Sequence, residues 1–469
     1  MIVVASTTVD LARLQFATTS IYHFLFVPLT LGLAPLVAVM QTLWHRSHDE
    51  RWYRLTRFFG TLLLINFAIG VATGLVQEFQ FGMNWAAYSR FVGGVFGAPL
   101  AIEGLAAFFL EATFLGLWIF GWERLSPRLH LATIWIAAAG TWMSAYFILV
   151  ANSWMQHPVG YRMADGKAVL TSVGALLSNS FALRAWLHTI LAGLIFASTV
   201  MLGVAAWHLL RRRNVELFRQ AAKLALIVAV PATLMQLSVG NRFGEAVTGA
   251  QGMKIAASEA QWNTCRPCSF SLFQIGGFSA QDPDPTVSIE IPQLLSWMAT
   301  GSFDGEVQGL NELQAQQERA HGPGNYMPRV EVMYWSMRTM AMIGVALFLV
   351  AAVGAWLYRK QRLERSRWFL RVAVGAIALP YLAATAGWIL TEMGRQPWVV
   401  QDLLRTSQAV SPNVTTATVA VSLGVFVTLY ATLGVVYFVL MRRYARVDPP
   451  PGLSAARPAV ALPSVEATR

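Results

Sequence analysis

Six ionisable side chains stand inside stretches of chain otherwise apolar enough to fill a bilayer: His23, Glu103, Glu111, His188, Arg338 and Glu392. A charge near mid-membrane costs about 2.5–3.5 kcal/mol even on a lenient insertion scale, so each needs a chemical or structural reason to be there. Imidazole is a standard axial donor to haem iron, and a helical bundle in a membrane can hold such a cofactor dry. The alternative for His23 and His188 is packing, with a ring N–H given to a backbone carbonyl. Glu103 and Glu111 lie eight residues apart, which on a uniform helix is about 12 Å along the axis and about 80° around it. On one broad side they form a ladder of carboxyls suited to carrying protons inward; the alternative is two protonated glutamates bonded to neighbouring helices. Met340 is one of 17 methionines, yet a thioether can occupy the iron position opposite a histidine, and Arg338 two residues earlier can offset haem propionate charge. In "GWILTEMGRQPWVV", Trp388, Glu392 and Arg395 crowd the end of a span. An interfacial Trp/Arg anchor accounts for Arg395 and Trp398 but not for Glu392, one turn deeper.

The elements that must position these groups follow from composition. The chain has 469 residues, 55% hydrophobic and 13% charged, with a mean hydropathy of +0.49, outside the range of soluble domains. Apolar runs of the length a spanning helix needs recur at 17–43, 58–78, 95–121, 129–152, 185–210, 221–240, 332–358, 369–391 and 415–441. The fold expected is an all-α integral membrane protein of about nine transmembrane helices. The loops after spans one, three, five and seven, with the end of span nine, carry twenty Lys and Arg; the short loops on the other face carry six. Basic loops stay cytoplasmic, so the N-terminus is expected outside and the C-terminus inside. The formal charge of +11 is then mostly an orientation signal facing an anionic leaflet and calls for no nucleic acid. "MIVVAS" lacks the basic region and apolar length of a cleaved signal, which leaves targeting to the first span.

Four segments are expected: 1–240 with spans one to six, a long outer loop at 241–331, 332–446 with spans seven to nine, and a Pro/Ala-rich cytoplasmic tail at 447–469 without fixed structure. The outer loop holds both cysteines in "NTCRPCSF". Outside the cytoplasm Cys265 and Cys268 are expected as a disulfide, with two free thiols as the alternative; two thiolates do not complete a zinc shell. His23 and His188 stand alone in their spans but for His208 near a cytoplasmic end, which excludes the arrangement of two haems stacked between one helix pair. No internal repeat suggests the inverted halves of a transporter.

Six blocks carry a resemblance: "LQFATTSIYHFLFVPLTLG", "NFAIGVATGLVQEFQFGMNW", "GAPLAIEGLAAFFLEATF", "ILVANSWMQHP", "MKIAASEAQW" and "GWILTEMGRQPW". In this order they resemble subunit I of the cytochrome bd quinol oxidases, from about residue 10 to residue 445. The resemblance implies a haem-binding bundle of nine helices with three haems: one low-spin haem b, one high-spin haem b and one haem d. His188 and Met340 fall on the axial pair of the low-spin haem, and Arg338 on its neighbouring arginine. His23 and Glu392 fall on the ligands of the two high-spin haems, with Trp388 and Arg395 beside Glu392 in the cofactor site. Glu103 falls beside the oxygen-reducing haem, Glu111 and Ser144 on the proton-entry region, and Lys254 and Glu259 on the residues tied to quinol.

The implied activity is oxidation of membrane quinol at the outer face and reduction of O2 to water with cytoplasmic protons, in a bacterial plasma membrane. A second large membrane subunit and small single-helix subunits are the implied partners. The outer loop resembles the family's short form, and its cysteine pair has no counterpart in the family pattern. Lys254 and Glu259 would stand about 140° apart on a helix, so one quinol touching both requires a bent segment. The competing class, a proton-coupled membrane transporter, uses the buried Glu, His and Arg but leaves Met340 without a role.

Overall fold

Nine helical stretches, long and apolar enough to cross a membrane, run through the described residues of the computed structural model, which are 6–452. They are Ser6–Ser47, Glu50–Met83, Ala86–Phe120, Pro127–Gln156, Val173–Leu210, Val215–Ala250, Val330–Arg359, Arg367–Met393 and Thr416–Tyr444, called spans one to nine below. The chain is thus an all-α membrane protein.

Span one begins earlier than its apolar run and is not one helix. At 42 residues a continuous helix would be about 63 Å long, twice the hydrocarbon thickness. It divides into helices Ser6–Phe24 and Val27–Ser47. Pro28 is the cause, since its ring collides with the carbonyl four residues back, Phe24, and restricts Val27. The break is sealed from span two, where Asn66 Nδ2 donates to Phe26 O and to Thr30 Oγ1, both at 2.8 Å. His23 sits in the last turn before the break.

Span three has its own irregularity, a π-helical stretch at Glu103–Phe108 inside α-helical flanks. Single π turns gather at functional sites, and this one starts on a candidate residue. The uniform helix behind the 80° separation of Glu103 and Glu111 does not hold through it.

Span five is the central post: 83% of its most apolar window is buried, against 6% for span nine. Small residues let it meet span one backbone to backbone, the usual basis of close helix packing in membranes. A Cβ on Gly32 would lie 2.7 Å from Ala197 Cβ and 2.6 Å from the Gly193 carbonyl carbon, and one on Gly193 would lie 3.0 Å from Pro28 O.

Span six continues to Ala250, ten residues past its expected end at 240, so it carries the chain well into the outer loop. There follow helix Gly252–Ser258, a hairpin of strands Phe270–Gly276 and Pro285–Ile291, and helices Leu294–Thr300 and Leu310–His321. Two small cores hold these pieces, one around Trp262, Leu310 and Met333 and one around Cys268, Phe270 and Leu295. Cys265 and Cys268 form the expected disulfide. At the other face, Arg54 Nε donates to Pro450 O at 2.8 Å and Asn214 Nδ2 to Asp448 Oδ1 at 2.9 Å, fixing 448–450 to span two and to the loop before span six. Residues 1–5 and 453–469, with most of the tail expected to lack structure, lie outside the described residues.

Gly32→Ala pushes a methyl group into the backbone of span five. Overpacking of this kind costs about 1–3 kcal/mol and should lower the thermal unfolding midpoint in detergent. Gly375→Ala, whose new Cβ meets no atom within 4 Å, should leave the midpoint nearly unchanged.

Candidate functional site

Span eight is the element around which the candidate residues gather. Trp388 and Glu392 are four residues apart and share a face. Trp388 stacks on Phe24, ring centroids 5.0 Å apart and planes 15° apart, which sets span eight beside His23. A Cβ on Gly387 would lie 3.0 Å from Met340 Sδ, so the bare backbone there is a cradle for the thioether of span seven. His23, Met340 and Glu392, far apart in sequence, are thereby presented around one helix.

The candidate histidine His23 differs in its bonding from His130. His130 has both ring nitrogens engaged, Nδ1 with Gln41 and Nε2 with Trp118 O, each at 2.8 Å. His208 stacks on Phe218 at 3.7 Å and bonds Ala445 O through Nε2. His23 Nδ1, in contrast, meets Thr73 Oγ1 at 3.0 Å, and that hydroxyl already gives its one proton to Ile69 O and Gly70 O. Nδ1 must therefore be the donor, and Nε2 keeps its lone pair, the tautomer a metal ligand requires. Gly74 makes room for the ring, since a Cβ there would lie 3.0 Å from His23 Cε1. His188 packs against span six, at Gly240 and Phe243, with the Gln236 amide 3.1 Å from its Nδ1. Gln236 Oε1 is buried without a partner. The same amide lies 3.3 Å from Nε2, and turning it over lets the orphan Oε1 accept from a ring N–H.

Glu392 is held on both oxygens. Asn152 Nδ2 donates to Oε1 at 3.0 Å, and Arg395 pairs with Oε2. Arg395 is only 6% exposed and also donates to Val399 O, deeper than an interfacial anchor sits, and it is the counter-charge of the half-buried Glu392 carboxylate. Lys254, in the loop helix Gly252–Ser258, is likewise buried and donates from Nζ to Gln156 Oε1 at 2.6 Å. Burial, reinforced by the Arg395 guanidinium and opposed by Glu392, pushes its amine down to about 7. A polar cleft lined by Gln251, Lys254, Tyr326, Arg395, Gln396 and Trp398 opens beside it.

Lys254 and Glu259 look in different directions. The loop helix ends at Ser258, and Glu259 turns to span seven, where Arg338 Nη2 meets its Oε2 at 2.7 Å. Arg338 also donates from Nη1 to Ser258 O at 2.6 Å and from Nε to Ser271 O at 3.0 Å, and lies 4.0 Å over the Tyr334 ring. With most of its five donors committed to the outer loop, Arg338 acts first as the tie between loop and span seven. Burial drives the Glu259 carboxyl upward, opposed by Arg338. Sequence reasoning assigned neither this pairing nor Asn152, Gln156 and Gln236, which are neutral amides and so drew no notice among ionisable residues.

Ser144 of span four donates to Glu103 Oε1 at 2.7 Å, joining two of the three expected proton-path residues. Gly140, one turn earlier, lets span four close onto span three: a Cβ there would lie 2.9 Å from Glu111 N. Both glutamates are buried.

Among the described residues no three His, Cys, Asp or Glu side chains gather as a metal-binding group. Each donor stands singly, as axial ligation of a macrocycle requires and as a bare-ion site does not. The glycines against His23 and Met340, the buried orphan Arg395 Nε, and the imidazole, thioether and carboxyl donor set all fit haem.

Residues 11–449 match the family described as cytochrome bd terminal oxidase subunit I. The chain is 44% identical over 434 residues to cytochrome bd ubiquinol oxidase subunit 1 of Bacillus subtilis (strain 168), covering 92% of each chain. It is 36% identical to cytochrome bd-II ubiquinol oxidase subunit 1 of Escherichia coli (strain K12), covering 94% of this chain and 97% of that one. It also superposes on a chain of the solved bd oxidase from Geobacillus thermodenitrificans with a TM-score of 0.85 and 28% identity, over 94% of this chain and 99% of that one.

Arg338→Leu leaves the Glu259 carboxylate and two loop carbonyls buried without partners. Breaking one side of such a pair costs about 3–5 kcal/mol, which should appear as a lowered thermal midpoint and as proteolytic cleavage within 259–275. Glu259→Gln, which retains an acceptor for Arg338, should lose much less.

Proposed function

Because the chain belongs to the cytochrome bd terminal oxidase subunit I family, and is thereby the haem-bearing membrane subunit of a bacterial quinol:oxygen oxidoreductase that works with a second subunit, we propose how its residues divide that work. His188 and Met340 hold a low-spin haem b from both sides, with Arg338 near it. His23 and Glu392 each hold one of the two remaining haems, a high-spin haem b and haem d. When bound, these groups supply one-electron relay and the centre at which O2 is reduced. A donor pair on both faces restricts a centre to electron transfer, whereas a single protein donor leaves a face for O2. The observation that carries this reading is the convergence on span eight: Met340 against Gly387, Trp388 on Phe24 beside His23, and Glu392 one turn on. Trp388 lies between the donors of different centres and orients them.

Quinol is oxidised at the outer loop, at Lys254 and Glu259. Lys254 lies beside the polar cleft, and its neutral amine can take a proton from the quinol hydroxyl. Glu259, fixed by Arg338, shapes the far side of the loop helix. Protons for water formation enter from the cytoplasm past Glu111, Ser144 and Glu103. The Lys/Arg asymmetry supports this sidedness, with the N-terminus outside and the C-terminus in the cytoplasm. Small single-helix subunits complete the assembly.

A reduced-minus-oxidised optical spectrum of the purified complex tests the assignment. It should show b- and d-type bands. His188→Ala should remove the low-spin b band, and His23→Ala and Glu392→Ala should each remove a high-spin component while keeping the low-spin one. An unchanged spectrum in His188→Ala would overturn the reading.

If Lys254 accepts the quinol proton, only its neutral form is competent. kcat/KM for quinol should then rise as pH passes upward through about 7 and level off above it. Lys254→Met should flatten that rise in a pH-rate profile.

A further inference from the structure

Lys254, Gln156, Asn152 and Glu392 form one unbroken line of hydrogen bonds. Lys254 Nζ donates to Gln156 Oε1 at 2.6 Å, Gln156 Nε2 to Asn152 Oδ1 at 2.7 Å, and Asn152 Nδ2 to Glu392 Oε1 at 3.0 Å. The ends determine its direction. A lysine amine presents N–H donors and an ionised carboxylate only accepts, so Gln156 must turn its carbonyl to Lys254 and Asn152 its amide N–H to Glu392. The two amide dipoles then align head to tail between a cationic and an anionic end. Hydrogen bonds in such a row polarise one another, more strongly where water is excluded. Gln156 is 3% exposed and Asn152 8%. They are four residues apart at the end of span four and share its face, so a single helix holds both links in register.

We propose that Gln156 is a positioning residue that couples the quinol-side Lys254 to Glu392 through Asn152, so that a change at the outer site is felt at the carboxylate that holds iron. The inference rests on the assignment of Lys254 to quinol and Glu392 to a high-spin haem made above. Through this row the Lys254 end draws electron density from Glu392 Oε1. Arg395 engages the other oxygen, Oε2, and does not depend on the row. Removing the lysine weakens the pull on Oε1 and makes the carboxylate a stronger donor, which favours the oxidised iron and lowers its midpoint potential. Loss of the Gln156 link should have the same sign and should leave little for a lysine substitution to change.

The test is a double-mutant cycle read by spectroelectrochemical titration of the high-spin haem bands in the intact complex. Lys254→Met should lower the midpoint potential of the haem on Glu392. In a Gln156→Met background the same substitution should produce less than half that shift. An equal shift in both backgrounds would mean that the lysine charge acts through space, and would overturn the proposal. So would the absence of any shift with Lys254→Met alone. Should Gln156→Met not assemble, Asn152→Leu breaks the next link, with the same loss of coupling expected and an undiminished lysine effect again overturning the idea. The underlying assignment fails separately: Glu392→Ala with all high-spin bands intact would remove Glu392 from the iron, whatever the cycle shows.

Discussion

Lipid offers no hydrogen bonds, so every broken turn and every polar side chain at membrane depth must find its partner inside the protein. Much of this structure follows from that constraint. Where Pro28 breaks span one, Asn66 reaches across from span two to the carbonyl of Phe26, which also accepts from Thr30 N, and to the Thr30 hydroxyl. Where His23 stands at the same break, the Thr73 hydroxyl, already committed to its own helix, receives the imidazole proton. Where Glu392 ends span eight, Asn152 and Arg395 take one oxygen each. No ionisable candidate is left to lipid. His23 meets its partner through Nδ1, whereas His130 is bound through both nitrogens.

The irregularities of the helices coincide with the candidate chemistry. The break in span one follows His23, the π stretch in span three starts at Glu103, and span eight ends one residue after Glu392. A regular α-helix engages its own backbone and offers only side chains spaced by 100°; a broken or widened turn re-aims them. The glycines act in the complementary way. Gly74 and Gly387 remove bulk beside an imidazole and a thioether, Gly140 lets two helices close at Glu111, and Gly32 with Gly193 draws span one against the central post.

The nine spans were legible because runs of apolar residues leave little other choice, and the cysteine pair was legible from its compartment. The break in span one was present in the letters "HFLFVP", since a proline announces the residue four places earlier as a helix end, but the apolar run masked it. The π stretch had no local signature: "EGLAAF" reads as an ordinary helix, and the extra residue is accommodated by packing against span four. The ion pair of Arg395 with Glu392 was not legible, because the burial of Arg395 depends on the fold of the 398–405 segment, a tertiary fact. Gln156 and Asn152 lay within one of the family blocks, but neutral amides carry no charge to make them conspicuous. Their significance comes from what stands at either end of them.

The stack of Trp388 on Phe24 and the seat of Met340 on Gly387 belong to the same turn of the same helix. Glu392 follows five residues later, about 7.5 Å further along the axis. Met340 of span seven and Phe24 of span one are thus both seated on span eight, which makes that helix the common reference for the three donors. Tunnelling between redox centres falls off steeply with distance. On the proposed assignment, seating all three donors against one helix would hold the spacing of the centres, and with it the hopping rate, within narrow limits.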